Sequence, residues 1–225
     1  MSKLLKLHNI SKTFETSKKL KVIKNLSYSF NKGKIYSLMG PSGSGKSTLL
    51  NLISLIDHPS NGSIKFNDHE INYAEKEKND KFRAKKIGIV YQQNNLLPDF
   101  TSLENIYLAS LSINNDKDLA ISKAKQLLKK IGLSNRADHY PSQLSGGEAQ
   151  RIAIARAIIN DPEIILADEP TGSLDMRTAK VIFNLLKDQK RSDRLIIFAT
   201  HNRFFGNKAD CLLEILDGNI KSSNG

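Results

Sequence analysis

At 225 residues, 39% of them hydrophobic, the chain is long enough to fold unaided as one large domain or two small ones. No window approaches the run of about 18 apolar residues that a membrane-spanning helix needs, and Met1 to Lys6 is too short for a signal peptide's apolar region, so a soluble, cytosolic chain is expected. The net charge of +11, from 34 Lys+Arg against 23 Asp+Glu, admits nucleic acid, anionic lipid or a nucleotide as partner, but most of it is lysine scattered singly in a chain also rich in Asn and Ile, as AT-rich coding produces.

Residues 3–10 and 20–31 alternate as strands do, with Leu5, Leu7, Val22, Leu26, Tyr28 and Phe30 as candidates for buried faces. Glu15 to Lys19 reads as a turn, and Asn31-Lys32-Gly33 as a second. Phe14 stands upstream of the phosphate loop, where its ring serves equally as a platform for a purine or as an ordinary core or surface aromatic.

The stretch Gly40-Pro41-Ser42-Gly43-Ser44-Gly45-Lys46-Ser47 is G-x-x-x-x-G-K-S, a phosphate-binding loop, and it has the context that motif requires: an apolar strand Ile35 to Met39 before it and a helical run from Thr48 to Ile53 after it. The glycines let backbone N–H groups converge on phosphate, the helix N-terminus adds partial positive charge, and the Lys46 ammonium reaches the β and γ oxygens. Ser47 is placed to give Mg²⁺ its hydroxyl.

Pro59 to Gly62 makes a turn and Ser63 to Phe66 a short strand; the polar stretch 67–86 is partly helical. Ile87 to Tyr91 is a buried strand that delivers Gln92, either to a metal or the attacking water, or simply to the surface. From Asn94 to about Pro141 the period turns helical, with helices from Ser102 to Ile113 and from Asp116 to Ile131, the second ended by Gly132. The segment Leu96 to Phe100 carries more apolar residues than a solvated loop needs, as a protein interface would.

Ser145 and Glu148 in Leu144-Ser145-Gly146-Gly147-Glu148 form the capping box of a helix running to Ile159. The box does not account for the adjacent glycines Gly146 and Gly147, which cost helix stability and suit the close approach of an anion to bare N–H groups. Ile164 to Ala167 is a strand ending in Asp168 and Glu169, where open α/β sheets bind ligands; Asp168 is expected to hold Mg²⁺ and Glu169 to orient or deprotonate the attacking water. Pro170 to Asp175 turns into a helix from about Met176 to Lys190. Arg194 to Thr200 is a further strand, and His201 at its end is placed to meet the γ-phosphate. The single cysteine, Cys211, allows no intrachain disulfide and reads as a buried small hydrophobe; Cys211 to Leu216 and the Asp217-Gly218-Asn219 hairpin close the fold, and Ser222 to Gly225 should fray.

The phosphate loop, Gln92, Leu-Ser-Gly-Gly-Glu, Ile-Leu-Ala-Asp-Glu-Pro, Ser-Leu-Asp and His201, in this order, resemble the ATP-binding-cassette ATPases across nearly the whole chain. That resemblance implies an α/β fold: a P-loop NTPase core with a mostly parallel sheet, an N-terminal antiparallel β subdomain and an inserted α-helical subdomain. It implies one domain over 1–225, with 1–93 and 142–225 as β subdomain plus core and about 94–141 helical. It also implies an ATPase that forms a homodimer on binding ATP, with Mg²⁺ as its metal. Nucleotide-binding residues would be Phe14, Gly40, Pro41, Ser42, Gly43, Ser44, Gly45, Lys46, Ser47 and Thr48, with Ser145, Gly146 and Gly147 facing the partner's loop and Asp175 as the D-loop aspartate. Glu169, His201, Gln92 and Lys46 would be catalytic, and Ser47, Gln92 and Asp168 would meet the metal.

The stretch 166–175 is similar to the branch that contains lipoprotein-releasing, macrolide-efflux and cell-division ATPase subunits, and Leu96 to Asn105 looks most like the lipoprotein-releasing kind. Ala149, where Arg or Gln is common, and Asn202, where Asp is usual, depart from that pattern without removing a group that touches nucleotide. The implied partners are transmembrane permease subunits, which would hold this chain as a peripheral subunit on the cytoplasmic side of the inner (plasma) membrane, with no nucleic acid. The alternatives are a cell-division type, which moves no cargo, and a soluble ATPase of the same family.

Overall fold

The computed structural model describes residues 3–15 and 19–223. In chain order the elements are β1 (Lys3–Glu15), β2 (Lys19–Asn31), β3 (Ile35–Met39), α1 (Lys46–Ile53), β4 (Asn61–Phe66), β5 (His69–Glu70), α2 (Lys76–Lys86), β6 (Ile87–Val90), α3 (Ser102–Leu111), α4 (Lys117–Lys130), α5 (Gly146–Ile158), β7 (Ile164–Asp168), α6 (Met176–Lys187), β8 (Leu195–Ala199), α7 (Arg203–Gly206), β9 (Cys211–Leu216) and β10 (Asn219–Ser223). Among the described residues no helix is long and apolar enough to cross a membrane.

The chain divides into two compact units, Met1–Asp80 with Lys190–Gly225, and Lys81–Gln189. In the first, an antiparallel sheet of order β2-β1-β4-β5 buries Leu5, Leu7, Ile10, Leu26, Phe30 and Ile64. Its alternation is broken on purpose: Asn9 and Asn25 take left-handed φ of 47° and 50°, and the β1–β2 register slips beside them. Asn tolerates that conformation. The slip exchanges faces, so Ile23 is fully buried and the expected Val22 only half-buried. The turn expected between Glu15 and Lys19 lies outside the described residues.

In the same unit β3 lies between β8 and β9, parallel to both, and β10 pairs antiparallel with β9. All five residues of β3 are buried, as a strand covered on both faces requires. Two expectations fail here. Cys211 is half-buried rather than buried, because it opens β9 beside Tyr36 at the strand's edge. Ser222 and Ser223 do not fray but pair with Leu213 and Leu212; residues 224 and 225 lie outside the described residues.

In the second unit, α3, α4 and α5 close a core of Ile106, Ala124, Leu128, Ile131, Leu133, Ile152, Ala155 and Ile159, each large side chain contributing about 1.5–3 kcal/mol by leaving water. Helix α3 starts at Ser102, as the sequence indicates, behind a capping box formed by Thr101 with Glu104. Strands β6 and β7 are parallel neighbours, and a Cβ at Gly88 would lie 2.2 Å from the Ala157 carbonyl oxygen, so glycine lets β6 approach the end of α5.

Candidate nucleotide site

Between β3 and α1 the phosphate loop takes a shape that needs its glycines. Gly40, Gly43 and Gly45 have φ of 151°, 77° and 103°, and a Cβ at Gly40 would sit 2.4 Å from the Ile215 carbonyl oxygen. Helix α1 has no side-chain cap and no acid in its first turn, so its leading amides and dipole face an anion unopposed. The Lys46 ammonium, buried, donates to the carbonyl oxygens of Gly40 at 2.8 Å and Pro41 at 2.9 Å. Ser44 N–H closes the loop on Pro41 O at 3.2 Å, while the Ser44 hydroxyl is buried with no hydrogen-bond partner in the described residues. Pro41, Ser42, Gly43 and Ser47 are exposed and Thr48 half-buried.

The β3–β8 register pairs Leu38 with Ala199, so Gly40 and His201, each two residues on, leave neighbouring parallel strands at the same carboxyl edge. His201 is exposed there. Asn202 caps α7 by accepting from Phe204 N–H at 2.9 Å, which Asn does as well as Asp; that accounts for the departure at this position.

In the second unit β7 carries Asp168 and Glu169 to its carboxyl end, both half-buried. Oδ1 of Asp168 is buried and accepts no hydrogen bond among the described residues. Glu169 has a left-handed φ of 45°, and its carbonyl accepts from Gly172 N–H at 3.0 Å. A Cβ at Gly172 would lie 3.1 Å from Gln92 Nε2, so the turn after Glu169 and the Gln92 side chain are in contact because residue 172 has no side chain. The structure therefore brings Gln92 and Glu169 to one end of the β6–β7 pair.

Sequence reasoning missed what holds Gln92 there. Gln150 donates to Tyr91 O at 2.9 Å, and Arg156 donates to Asn94 O at 2.7 Å and Asn95 O at 2.8 Å, so α5 grips the backbone on both sides of Gln92. Burial pushes the Arg156 pKa below its ordinary value.

Helix α5 opens with the expected capping box. Ser145 Oγ accepts from Glu148 N–H at 3.3 Å and donates to Glu148 Oε2 at 2.8 Å, while Ser145 N–H donates to Oε2 at 2.8 Å. The N–H groups of Gly146 and Gly147 lie between these partners in the first turn of α5, where a helix leaves its leading amides without intrahelical acceptors. Asp175, exposed, caps α6 by accepting from Arg177 N–H, Thr178 N–H and the Thr178 hydroxyl, and these bonds, the hydroxyl's first, hold its pKa below the usual carboxylate value.

Glu148 has a further partner in Arg136, whose Nε donates to Oε1 at 2.9 Å; this bond and those from Ser145 hold the Glu148 pKa down at about 2 against an ordinary 4.5. A depressed carboxylate pKa contributes stability that is present above the unfolded value and lost as pH falls through the folded one, here between 4.5 and about 2. With solvent screening its size is about 1 kcal/mol. Arg136→Ala is expected to raise the Glu148 pKa toward 4.5, read by carboxyl NMR titration, and to flatten the fall in melting temperature on acidification through that window. An unmoved pKa would count against the ion pair.

The sequence profile of the ABC transporter family matches residues 23–172. The chain belongs to this family, as its motifs led one to expect. Over 225 residues it is 43% identical to the lipoprotein-releasing system ATP-binding protein LolD of Wigglesworthia glossinidia brevipalpis, covering 98% of this chain and 97% of that one. Over 226 residues it is 39% identical to LolD of Rickettsia bellii, covering 99% of each. Among solved structures, the dimeric ATP-binding cassette MJ0796 in a post-hydrolysis state with ADP and Pi superposes with a TM-score of 0.91 at 36% identity, covering 98% of both chains.

Proposed function

We propose that this chain is the ATP-hydrolysing subunit of a membrane ABC transporter that releases lipoproteins from the inner membrane. The observation that carries the reading is similarity at 39–43% identity, over nearly the whole of each chain, to proteins named for lipoprotein release. That shared name favours lipoprotein release over the cell-division and soluble alternatives. By the dimeric state of the MJ0796 cassette, two copies of this chain close on ATP, and the whole chain works as one cassette at the cytoplasmic face of the membrane, held there by permease subunits.

The roles follow from chemistry each group can supply. The loop amides from Gly40 to Thr48 and the Lys46 ammonium hold the phosphates, Phe14 stacks on the base, and the leading amides of Gly146 and Gly147 with Ser145 meet the γ-phosphate of the partner's nucleotide. Glu169 orients the water for in-line attack on the γ-phosphorus and takes its proton; the bond to the bridging oxygen breaks, giving ADP and phosphate. His201 hydrogen-bonds the γ-phosphate, Gln92 reports on the attacking water, and Asp175 steadies the opening of α6.

Magnesium fits the residues present. Asp168 offers a buried carboxylate oxygen with no hydrogen-bond partner among the described residues, and Ser47 an exposed hydroxyl, both hard oxygen donors. No cluster of three His, Cys, Asp or Glu occurs among the described residues, so such an ion would take its remaining ligands from phosphate and water. When bound it neutralises charge on the β- and γ-oxygens.

The test is an affinity pull-down from detergent-solubilised membranes with mass spectrometry of what co-purifies. A multi-span membrane protein with a large periplasmic domain is expected. Recovery of only soluble proteins or nucleic acid, with ATPase activity intact, would overturn the transporter.

A further inference from the structure

Lys12 is a buried lysine on β1, 8% exposed, and its ammonium is committed in three directions. It donates to Asp57 Oδ1 at 2.5 Å and to His58 O at 2.9 Å, and it lies 5.2 Å from the centroid of the Phe14 ring. An ammonium has three donors, and here two make hydrogen bonds while the charge faces an aromatic π surface. Phe14 itself is 37% exposed, so the ring keeps solvent-accessible surface beside its contact with Lys12. Asp57 and His58 follow the end of α1, the helix whose first turn carries the phosphate loop. Lys12 therefore ties the aromatic ring to the far end of the phosphate-binding helix.

We propose that Lys12 is a positioning residue for the nucleobase: anchored by Asp57 and the His58 carbonyl, it fixes the plane of Phe14 so that the ring's accessible surface is presented to a purine at a set distance from the phosphate loop. The inference rests on the reading of Phe14 as the base-stacking residue. A lysine so held is rigid, so the ring is ordered before the ligand arrives and the cost of ordering it is not charged to binding.

The experiment measures ATPase kinetics of the full chain with Phe14→Leu, Lys12→Met, Lys12→Arg, Asp57→Asn and the Phe14–Lys12 double variant, together with binding of magnesium tripolyphosphate, which has no base. Base–aromatic stacking predicts a rise in KM for ATP of about tenfold in Phe14→Leu. Lys12→Met should raise KM about three- to tenfold, as loss of a desolvated cation–π contact would, with the change in KM exceeding that in kcat. The double variant should be no worse than Phe14→Leu alone, Lys12→Arg should recover most of the loss, and tripolyphosphate binding should not move. Asp57→Asn loosens the same ammonium without emptying its slot, and it should reproduce the KM shift even if Lys12→Met folds poorly. If Phe14→Leu raises KM but Asp57→Asn and Lys12→Met do not, or if the Phe14 and Lys12 effects multiply, the role of Lys12 is overturned while stacking by Phe14 stands. An unchanged KM in Phe14→Leu removes the stacking reading and the proposal together.

Discussion

Glu169→Gln is expected to lower steady-state ATP hydrolysis by about 10²–10⁴-fold, the range a positioned general base contributes, while leaving ATP affinity close to that of the parent chain. The amide keeps the shape of the side chain and can still hold a water, but it cannot accept the proton that water must lose. The position also resists larger changes. Glu169 sits at φ 45°, a region sparsely used by residues other than glycine, and its carbonyl is pinned by Gly172 N–H. Substitutions that alter backbone preference would therefore mix a structural effect with a chemical one, and Gln avoids this. Phosphate release measured beside nucleotide binding separates the two, and size-exclusion chromatography with ATP should show dimer accumulating, because the step that reopens it is blocked. Unchanged phosphate release in this variant would remove Glu169 from the catalytic role.

What was legible in the sequence is what local chemistry dictates. The phosphate loop, the Ser145–Glu148 box and the acids at the carboxyl end of β7 announce themselves because glycines, caps and carboxylates must fall at fixed short offsets from a strand end or helix start. The β3 and β7 cores were equally plain, since a strand buried on both faces is an unbroken apolar run. Strand registers were not, because single asparagines at positions 9 and 25 slip β1 against β2 and move burial from Val22 to Ile23. Nor were the supports of the site. Arg156 reaches Asn94 and Asn95, and Gln150 reaches Tyr91, about 60 residues away in sequence, by bonds to backbone carbonyls that any residue type would offer. Lys12 is one of the singly scattered lysines and carries no local signal of its role, for the same reason. Its partner Asp57 is 45 positions away, and only the fold makes them neighbours.

Lys46→Ala is expected to lose ATP binding itself, by about 30- to 1000-fold, in contrast to the Glu169 variant, which loses turnover and keeps its ligand. The ammonium is buried and its position is set by two carbonyls of its own loop, Gly40 O at 2.8 Å and Pro41 O at 2.9 Å. Alanine removes both the charge that attracts phosphate and the donor that draws these carbonyls inward, so the loop's amides lose their arrangement along with its one cation. Lys46→Arg tests which matters more. It restores charge, but a planar fork cannot take the place of a compact ammonium between two carbonyls that lie one residue apart. Titration with a fluorescent ATP analogue should therefore find the arginine variant weakened nearly as much as the alanine one. Full recovery by arginine would show that net charge alone holds the phosphates, and near-parent affinity in Lys46→Ala would show that the loop amides suffice without it.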